Sequence, residues 1–214
     1  MADQATEEKN FSILWDLVRL LSVSAQIMAG TVTELTFVDA GTPRARFRHE
    51  KPDVHVFQVL MCVRIASGLR AALILMRENH ITEATVVMRT IEECVSHIEF
   101  IDGIIHESEA SVAALHNDSL NLYFGDTQAD GERGLFAARD PSRPRNLSKM
   151  LAESLGTAVH GARRSPCRQS LDTQVHLALD VFFKVARNLG HTEMARQLLQ
   201  LRRRFEADPA YHAT

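Results

Sequence analysis

The chain has 214 residues, 45% of them apolar and 24% charged, which suits one folded domain over residues 1–214 and argues against wholesale disorder. The formal net charge is −3, and only 6% of the residues are aromatic. The core is therefore expected to consist of Leu, Ile, Val, Ala and Met, a composition that favours helices over a β-sandwich.

The sequence predicts a cytoplasmic protein that does not contact a membrane. The longest apolar run is Ala71–Met76, far short of the roughly 20 residues that a membrane span needs. The first ten residues are acidic and polar, unlike a signal peptide. The three cysteines show no CxxC spacing, and two of them, Cys62 and Cys94, lie on apolar helix faces. These features indicate a reducing compartment.

The first part of the chain predicts one helix and then an irregular segment. The helix runs from about Thr6 to Ala29, with Gly30 as a plausible stop. Residues 31–51 follow as the irregular segment, in which Thr31–Val38 suits a short strand or an extended loop. The segment ends in a small basic cluster over residues 44–51.

Two long apolar helices follow over Asp53–His106, broken only at Glu78–Thr82. Pro52 suits the first position of the second helix, and Thr82 suits the cap of the third. The second helix is apolar nearly all round, which indicates a central, buried element. Its polar exceptions are His55, Gln58, Arg64, Ser67, Arg70 and Arg77.

The rest of the chain predicts up to four more helices. They cover about Glu109–Phe124, Asn146–Leu155, Ser170–Leu189 and Thr192–Ala207, with a Gly- and Pro-rich loop near residues 125–144. The predicted fold is all-α: a helical bundle of six or seven helices around a central antiparallel helical hairpin. The apolar surplus of the second helix favours a homodimer.

Charge is unevenly distributed along the sequence. Residues 78–132 contain twelve acidic residues and one basic residue, whereas residues 133–204 contain fourteen basic and five acidic residues. One interpretation is that the two halves neutralise each other, within the chain or across a dimer. The other is a basic surface for RNA or a nucleotide. The lack of interleaved aromatic and basic residues favours neutralisation.

Arg89 is the one Lys or Arg residue in the acidic stretch 78–132. Glu92 and Glu93 follow it at i+3 and i+4, so the three side chains share one helical face. They form either an exposed ion pair or an oriented Arg–Glu site that faces Arg64 or a ligand. We therefore take Arg89 and Glu92 as candidate catalytic residues, and Arg64 and Glu93 as candidate ligand-binding residues.

A second candidate is His160, which lies beside Gly161 in an otherwise apolar run. It is a candidate general base or phosphate partner, with Arg163 and Arg164 as candidate ligand-binding residues directly after it. The alternative is a loop histidine that hydrogen-bonds a backbone carbonyl.

No metal site or cofactor is predicted. Glu93 and His97 lie one turn apart, as do Asp102 and His106, but the Glu-x-x-His spacing of di-iron bundles is absent from the third helix, and the chain has no HExxH. It also lacks GxSxG, P-loop and GxGxxG motifs. Cys167, in a basic segment after Pro166, is a lone cysteine without an evident histidine partner.

Short motifs carry a resemblance to a family of uncharacterised all-helical bacterial proteins. The segments Ala71–Leu75, Ile81–Ala84 and Met88–Glu92 resemble an apolar helix followed by the family's "EA…L-R-S-x-x-E" pattern, and Ser154 with His160–Gly161 resembles its later Ser…His-Gly pattern. The resemblance covers about residues 54–161. It implies that Arg89, Glu92 and His160 are the functional positions.

More loosely, the chain resembles HEPN domains, helical modules that are often dimeric and occur in defence and toxin–antitoxin systems. Their ribonuclease members have an Arg and a His separated by four to six residues. Arg187 and His191 are separated by three residues, with Gly190 as a helix stop, and Arg44 and His49 are separated by four in a segment before Pro52. This resemblance implies a metal-independent ribonuclease.

Two functions follow from these readings. The first is a partner- or ligand-binding regulatory module, in which Arg89 and Glu92 are structural and partly buried. The second is the HEPN-like ribonuclease, in which Arg89 or Arg187 meets His160 or His191 in one cleft, with Arg163 and Arg164 as phosphate contacts.

Overall fold

The computed structural model describes residues 2–32, 35–38, 46–49, 53–105 and 164–207. This part of the chain forms five helices and two four-residue strands: α1 (Ala2–Ala29), β1 (Leu35–Val38), β2 (Arg46–His49), α2 (Val54–Arg77), α3 (Ile81–Ile105), α4 (Arg164–Asn188) and α5 (Thr192–Ala207). The all-α class is confirmed, with five helices in the described residues rather than six or seven. The helices predicted at 109–124 and 146–155, and the loop at 125–144, lie outside these residues.

The two strands pair with each other in antiparallel register, from Leu35 opposite His49 to Val38 opposite Arg46. The first strand agrees with the extended stretch predicted over Thr31–Val38. The second corrects the reading of residues 44–51 as irregular. Its sequence, Arg-Phe-Arg-His, alternates polar and apolar residues at its start, which is the strand period.

The paired apolar helices begin at slightly different residues from those predicted. Asp53 is extended, and its Oδ1 accepts a hydrogen bond of 2.8 Å from the backbone N–H of Val56. Asp53 is therefore the N-cap of α2, and the helix begins at Val54 rather than at Pro52. The third helix begins at Ile81, one residue before the predicted cap. Between the helices, Asn79 has a φ of 66°, a left-handed conformation that asparagine tolerates.

The fourth helix begins at Arg164, six residues earlier than predicted. Pro166, interpreted from the sequence as a break, is its third residue, and proline is tolerated in the first turn of a helix because no intrahelical N–H bond is needed there. Cys167 consequently lies in α4. Gly190, with a φ of 78°, follows the end of α4 as expected, and α5 begins at Thr192.

The directions of the helices follow from their cross-contacts. The rings of Phe57 in α2 and His97 in α3 are 6.3 Å apart, and Gly68 lies against Ile91, so α2 and α3 run in opposite directions. Contacts between α3 and α4 advance together along both helices, which are therefore parallel. These contacts are Glu92–Gln174, Glu99–Lys184 and Asp102–Asn188.

A single apolar core joins these helices. α1 packs on α2 and α4, α2 packs on both α3 and α4, and α5 packs on α4. Side chains from each of the four long helices are fully buried at its centre, among them Leu21, Ile65, Leu69, Leu73, Ile98 and Phe182.

By length and composition, two helical segments are suited to cross a membrane, namely Phe11–Ala29 and Val54–Arg77. The sequence contains no uninterrupted apolar run of this length, and for that reason it predicts no membrane contact. Within these segments, 39% and 44% of the apolar window is buried inside the protein. Helices that form the core of a soluble protein meet the same criteria, so length and composition do not separate the two possibilities.

Candidate functional site

Arg89, Glu92 and Glu93 form a charged cluster on one face of α3, as their spacing predicted. Nη1 of Arg89 donates to Oε2 of Glu92 at 3.3 Å, and its Nε lies 3.6 Å from Oε1 of Glu93. The side chains are 27%, 41% and 41% exposed, respectively. One guanidinium is therefore shared between two carboxylates at the edge of the core.

A buried glutamine ties this cluster to α4. Nε2 of Gln174 donates to Oε1 of Glu92 at 2.8 Å, and Gln174 is only 2% exposed. The bond joins residues 82 positions apart in the sequence. Local sequence patterns carry no signal for such a contact, so the sequence does not predict it. The bond fixes the carboxylate that in turn orients Arg89.

The positive charge of Arg64, in α2, acts on Cys94, the neighbour of Glu93 in α3. Burial raises the pKa of the Cys94 thiol, against a lowering by the positive charge of Arg64 and with a further rise from Glu93. Arg64 itself is exposed and forms no ion pair within the described residues. We call Arg64 of α2 and Arg89, Glu92 and Glu93 of α3 together the Arg89 cluster, which carries two positive and two negative charges.

The second group of candidates is only partly covered. His160 and Arg163 lie outside the described residues, so their predicted roles stay predictions. Arg164 is the first residue of α4.

Within the described residues, no group of three or more His, Cys, Asp or Glu side chains is placed to hold a metal ion. The Glu93–His97 pair therefore has no third ligand among them. His106 lies outside them. Asp102 accepts a hydrogen bond of 2.8 Å from Nδ2 of Asn188, and its Oδ1 lies 3.8 Å from Nη2 of Arg187. A buried carboxylate is thereby satisfied by α4 side chains.

Arg187 and His191, the ribonuclease-like pair, contact different elements. The Arg187 guanidinium lies 5.7 Å from the centre of the Phe183 ring, on its own helix. Nε2 of His191 lies 3.3 Å from Oγ1 of Thr31, which follows α1. Gly190, in its left-handed conformation, separates the two residues at the end of α4.

The chain matches no protein-family model, no curated protein and no solved structure.

Proposed function

We propose that this protein is a non-enzymatic helical module that binds a protein partner, in the first instance a second copy of itself, through the Arg89 cluster. The observation that supports this is the mixed charge of the cluster, half-exposed and held in place by the buried Gln174. A two-fold interface pairs one surface with itself. A surface with two arginines and two glutamates is complementary in charge to its own copy.

The geometry of the cluster favours binding over catalysis. General acid–base chemistry needs a group that can exchange a proton close to the reacting atom. Within the described residues, the polar partners of Arg89 and Glu92 are Glu93 and Gln174 besides each other, and no histidine is among them. The separate contacts of Arg187 and His191 likewise give the ribonuclease alternative little support.

We also propose that the helices form a bundle with the α2–α3 hairpin at its centre, and that α1 and α2 are core helices of a cytoplasmic protein. The contacts of α2 with α1, α3 and α4 support a central position. The fully buried Leu21 of α1 and Leu69 of α2 support packing against protein rather than lipid.

Sedimentation velocity over a range of protein concentrations tests the self-association. We expect Arg89→Gln to raise the dimer dissociation constant by about tenfold or more, because a charge-assisted hydrogen bond contributes about 1.5–3 kcal/mol. Arg196→Gln is the matched control, since Arg196 also pairs with a glutamate three residues away, on the exposed surface of α5. A wild-type chain that stays monomeric throughout would contradict the proposal.

Charge exchange gives a sharper test of the same surface. Arg64→Glu and Glu93→Arg should each weaken the dimer, whereas the double variant should recover much of the affinity, because the surface is again complementary to itself. Equal behaviour of single and double variants would place the interface elsewhere.

Labelled single-stranded RNA, incubated with the protein and a chelator, tests the alternative. Cleavage by the wild type that is lost in both His160→Ala and Arg187→Ala would contradict the binding-module proposal and support a metal-independent ribonuclease.

A further inference from the structure

The surface of α3 carries two half-exposed apolar side chains, Val86 at 54% and Phe100 at 51% exposure. Glu93 lies midway between them in the sequence, seven residues from each. A step of seven residues returns to nearly the same angle around a helix, so these three side chains follow one line along α3. We call Val86, Glu93 and Phe100 the α3 stripe.

Contacts on either side show that the α3 stripe faces away from the core. On one flank, Glu92 accepts a hydrogen bond of 2.8 Å from Gln174 of α4. On the other flank, the ring of His97 lies 6.3 Å from that of Phe57 in α2. The stripe lies between these two packed surfaces, and its apolar ends are therefore open to a partner.

The charges in the middle of the stripe decide what kind of partner fits. Arg89, one turn before Glu93, lies 3.6 Å from its carboxylate, and it also pairs with Glu92. These three residues carry a net charge of −1, which disfavours the phosphates of a nucleic acid or of an anionic lipid surface. A partner with charges of both signs and exposed apolar groups fits better, and a second copy of the stripe has both.

The same charges distinguish the two ways in which a two-fold axis can pair α3 with its copy. In parallel helices each side chain meets its own counterpart, so Glu93 faces Glu93 and Arg89 faces Arg89. In antiparallel helices with the axis midway between these residues, Arg89 of each copy faces Glu93 of the other, which is attractive. Since Phe100 is then level with Thr82 of the second copy, it lies about one turn from the second copy's Val86.

We infer that two copies of this protein pair α3 against α3 in antiparallel orientation. Arg89 and Glu93 meet their opposite charges at the centre of the interface, and a Val86–Phe100 contact covers the apolar groups at each end. This inference rests on the proposed self-association, and it adds the helix that forms the interface, its orientation and two apolar anchors outside the Arg89 cluster.

Substitution of the apolar anchors tests the extent of the interface. We expect Phe100→Ser and Val86→Ser each to raise the dimer dissociation constant by about tenfold in sedimentation velocity, since large apolar side chains act as anchors in interfaces. Ile27→Ser is the matched control, because Ile27 is also 50% exposed but lies on α1. It should leave the dimer unchanged.

Cross-linking with a short bismaleimide tests the orientation, in a Cys167→Ser background whose two other cysteines are buried. The two Thr90 residues lie about 3 Å apart along the helix axes in the antiparallel pair, and the two Val86 residues about 15 Å apart. We therefore expect Thr90→Cys to give a covalent dimer much faster than Val86→Cys. In a parallel pair both would react.

The outcomes separate this arrangement from the self-association on which it rests. A wild type that stays monomeric would contradict both. A dimer that Arg89→Gln weakens but that Phe100→Ser and Val86→Ser leave unchanged would support self-association through the Arg89 cluster and overturn the apolar anchors. Equal rates of cross-linking for Thr90→Cys and Val86→Cys would overturn the antiparallel orientation.

Discussion

Two buried glutamines differ in whether their side chains have partners, and this difference has a measurable consequence. Nε2 of Gln174 donates to Glu92 while its Oε1 has no partner, whereas neither Nε2 nor Oε1 of Gln58 has a hydrogen-bond partner within the described residues. A buried polar group stabilises the fold when it is paired and destabilises it when it is not. The same substitution should therefore have opposite effects at the two positions.

We expect Gln58→Leu to raise the free energy of unfolding by about 1–3 kcal/mol, because it removes an unpaired buried amide. Gln174→Leu should lower it by about 1–2 kcal/mol, because Glu92 loses its donor. Guanidinium chloride unfolding followed by circular dichroism measures both. Destabilisation by Gln58→Leu would mean that the amide has a stabilising partner in solution.

The two buried cysteines give a prediction about reactivity and pH. Burial raises the pKa of both Cys62 and Cys94. In a Cys167→Ser variant we therefore expect no fast reaction with a thiol reagent in the folded state and two reactive thiols after denaturation. A fast native reaction would contradict the burial of one of them.

The same pKa shifts predict how stability depends on pH. The unfolded chain loses its thiol protons near pH ~8.5, while the folded protein keeps them. A raised folded pKa favours the folded state below the unfolded value, so this contribution should fall as pH rises above it. Unfolding curves of the wild type and of the double variant Cys62→Ala/Cys94→Ala, recorded at several pH values across this range, measure the effect. The free energy of unfolding should change less with pH in the double variant, because it lacks both thiols.

At the scale of elements, the close contact of α2 and α3 depends on a glycine. A Cβ added at Gly68 would lie 2.9 Å from Cγ1 of Ile91, which is shorter than van der Waals contact. Gly103, in α3, has no atoms within 4 Å of the same position. Both glycines lie in helices, so alanine raises the helix propensity at both positions. Only at Gly68 does the added Cβ also clash with a neighbouring helix.

We expect Gly103→Ala to raise the free energy of unfolding by up to about 1 kcal/mol through helix propensity. Gly68→Ala should lower it by about 1–3 kcal/mol, because the helices must move apart. The loss should be smaller in an Ile91→Ala background, where the clashing atoms are absent. Thermal or urea unfolding of Gly103→Ala, Gly68→Ala, Ile91→Ala and the double variant Gly68→Ala/Ile91→Ala measures these effects. Equal effects of alanine at both glycines would contradict the close approach of α2 and α3.

The helices that the sequence predicted best are those with an uninterrupted apolar period. The α2–α3 pair is confirmed, because apolar residues at helical spacing decide burial, although the break is shorter than predicted and ends at His80. The predicted start of α4 is six residues too late, because Pro166 suggests a break in the sequence whereas the first helical turn tolerates proline. β2 was overlooked because charge masked its two-residue alternation.

The candidate site shows where such reasoning ends. Pairing of Arg89 with Glu92 and Glu93 follows from helical geometry and needs no tertiary information. The bond from Gln174 depends on how α3 and α4 pack, which no local pattern contains. The unpaired state of Gln58 is likewise a property of the packed core. The sequence identifies the polar residues of α2, but what surrounds each of them depends on how the helices pack.

At the scale of the whole molecule, the acidic and basic halves of the sequence meet along α3 and α4. Lys184 contacts Glu99 of α3 at 3.6 Å and Asp180 of its own helix at 2.8 Å. Partial burial lowers the pKa of Lys184, but the hydrogen bond and charge of Asp180, with Glu99 and Asp102, outweigh burial and raise it. Asp180 also pairs with Arg202 of α5. In the described residues, charges of opposite sign are thus joined across three helices.

If neutralisation within the chain explains the uneven charge, the pairs between α3 and α4 should contribute to stability in a salt-dependent way. A double-mutant cycle with Glu99→Gln and Lys184→Met should give a coupling of about 0.2–1 kcal/mol at low salt, since both side chains are partly exposed. The coupling should shrink in about 1 M salt, where the Debye length is only about 3 Å. A coupling near zero at low salt would remove Glu99–Lys184 as a neutralising contact and leave the basic half available to bind an anionic partner such as RNA.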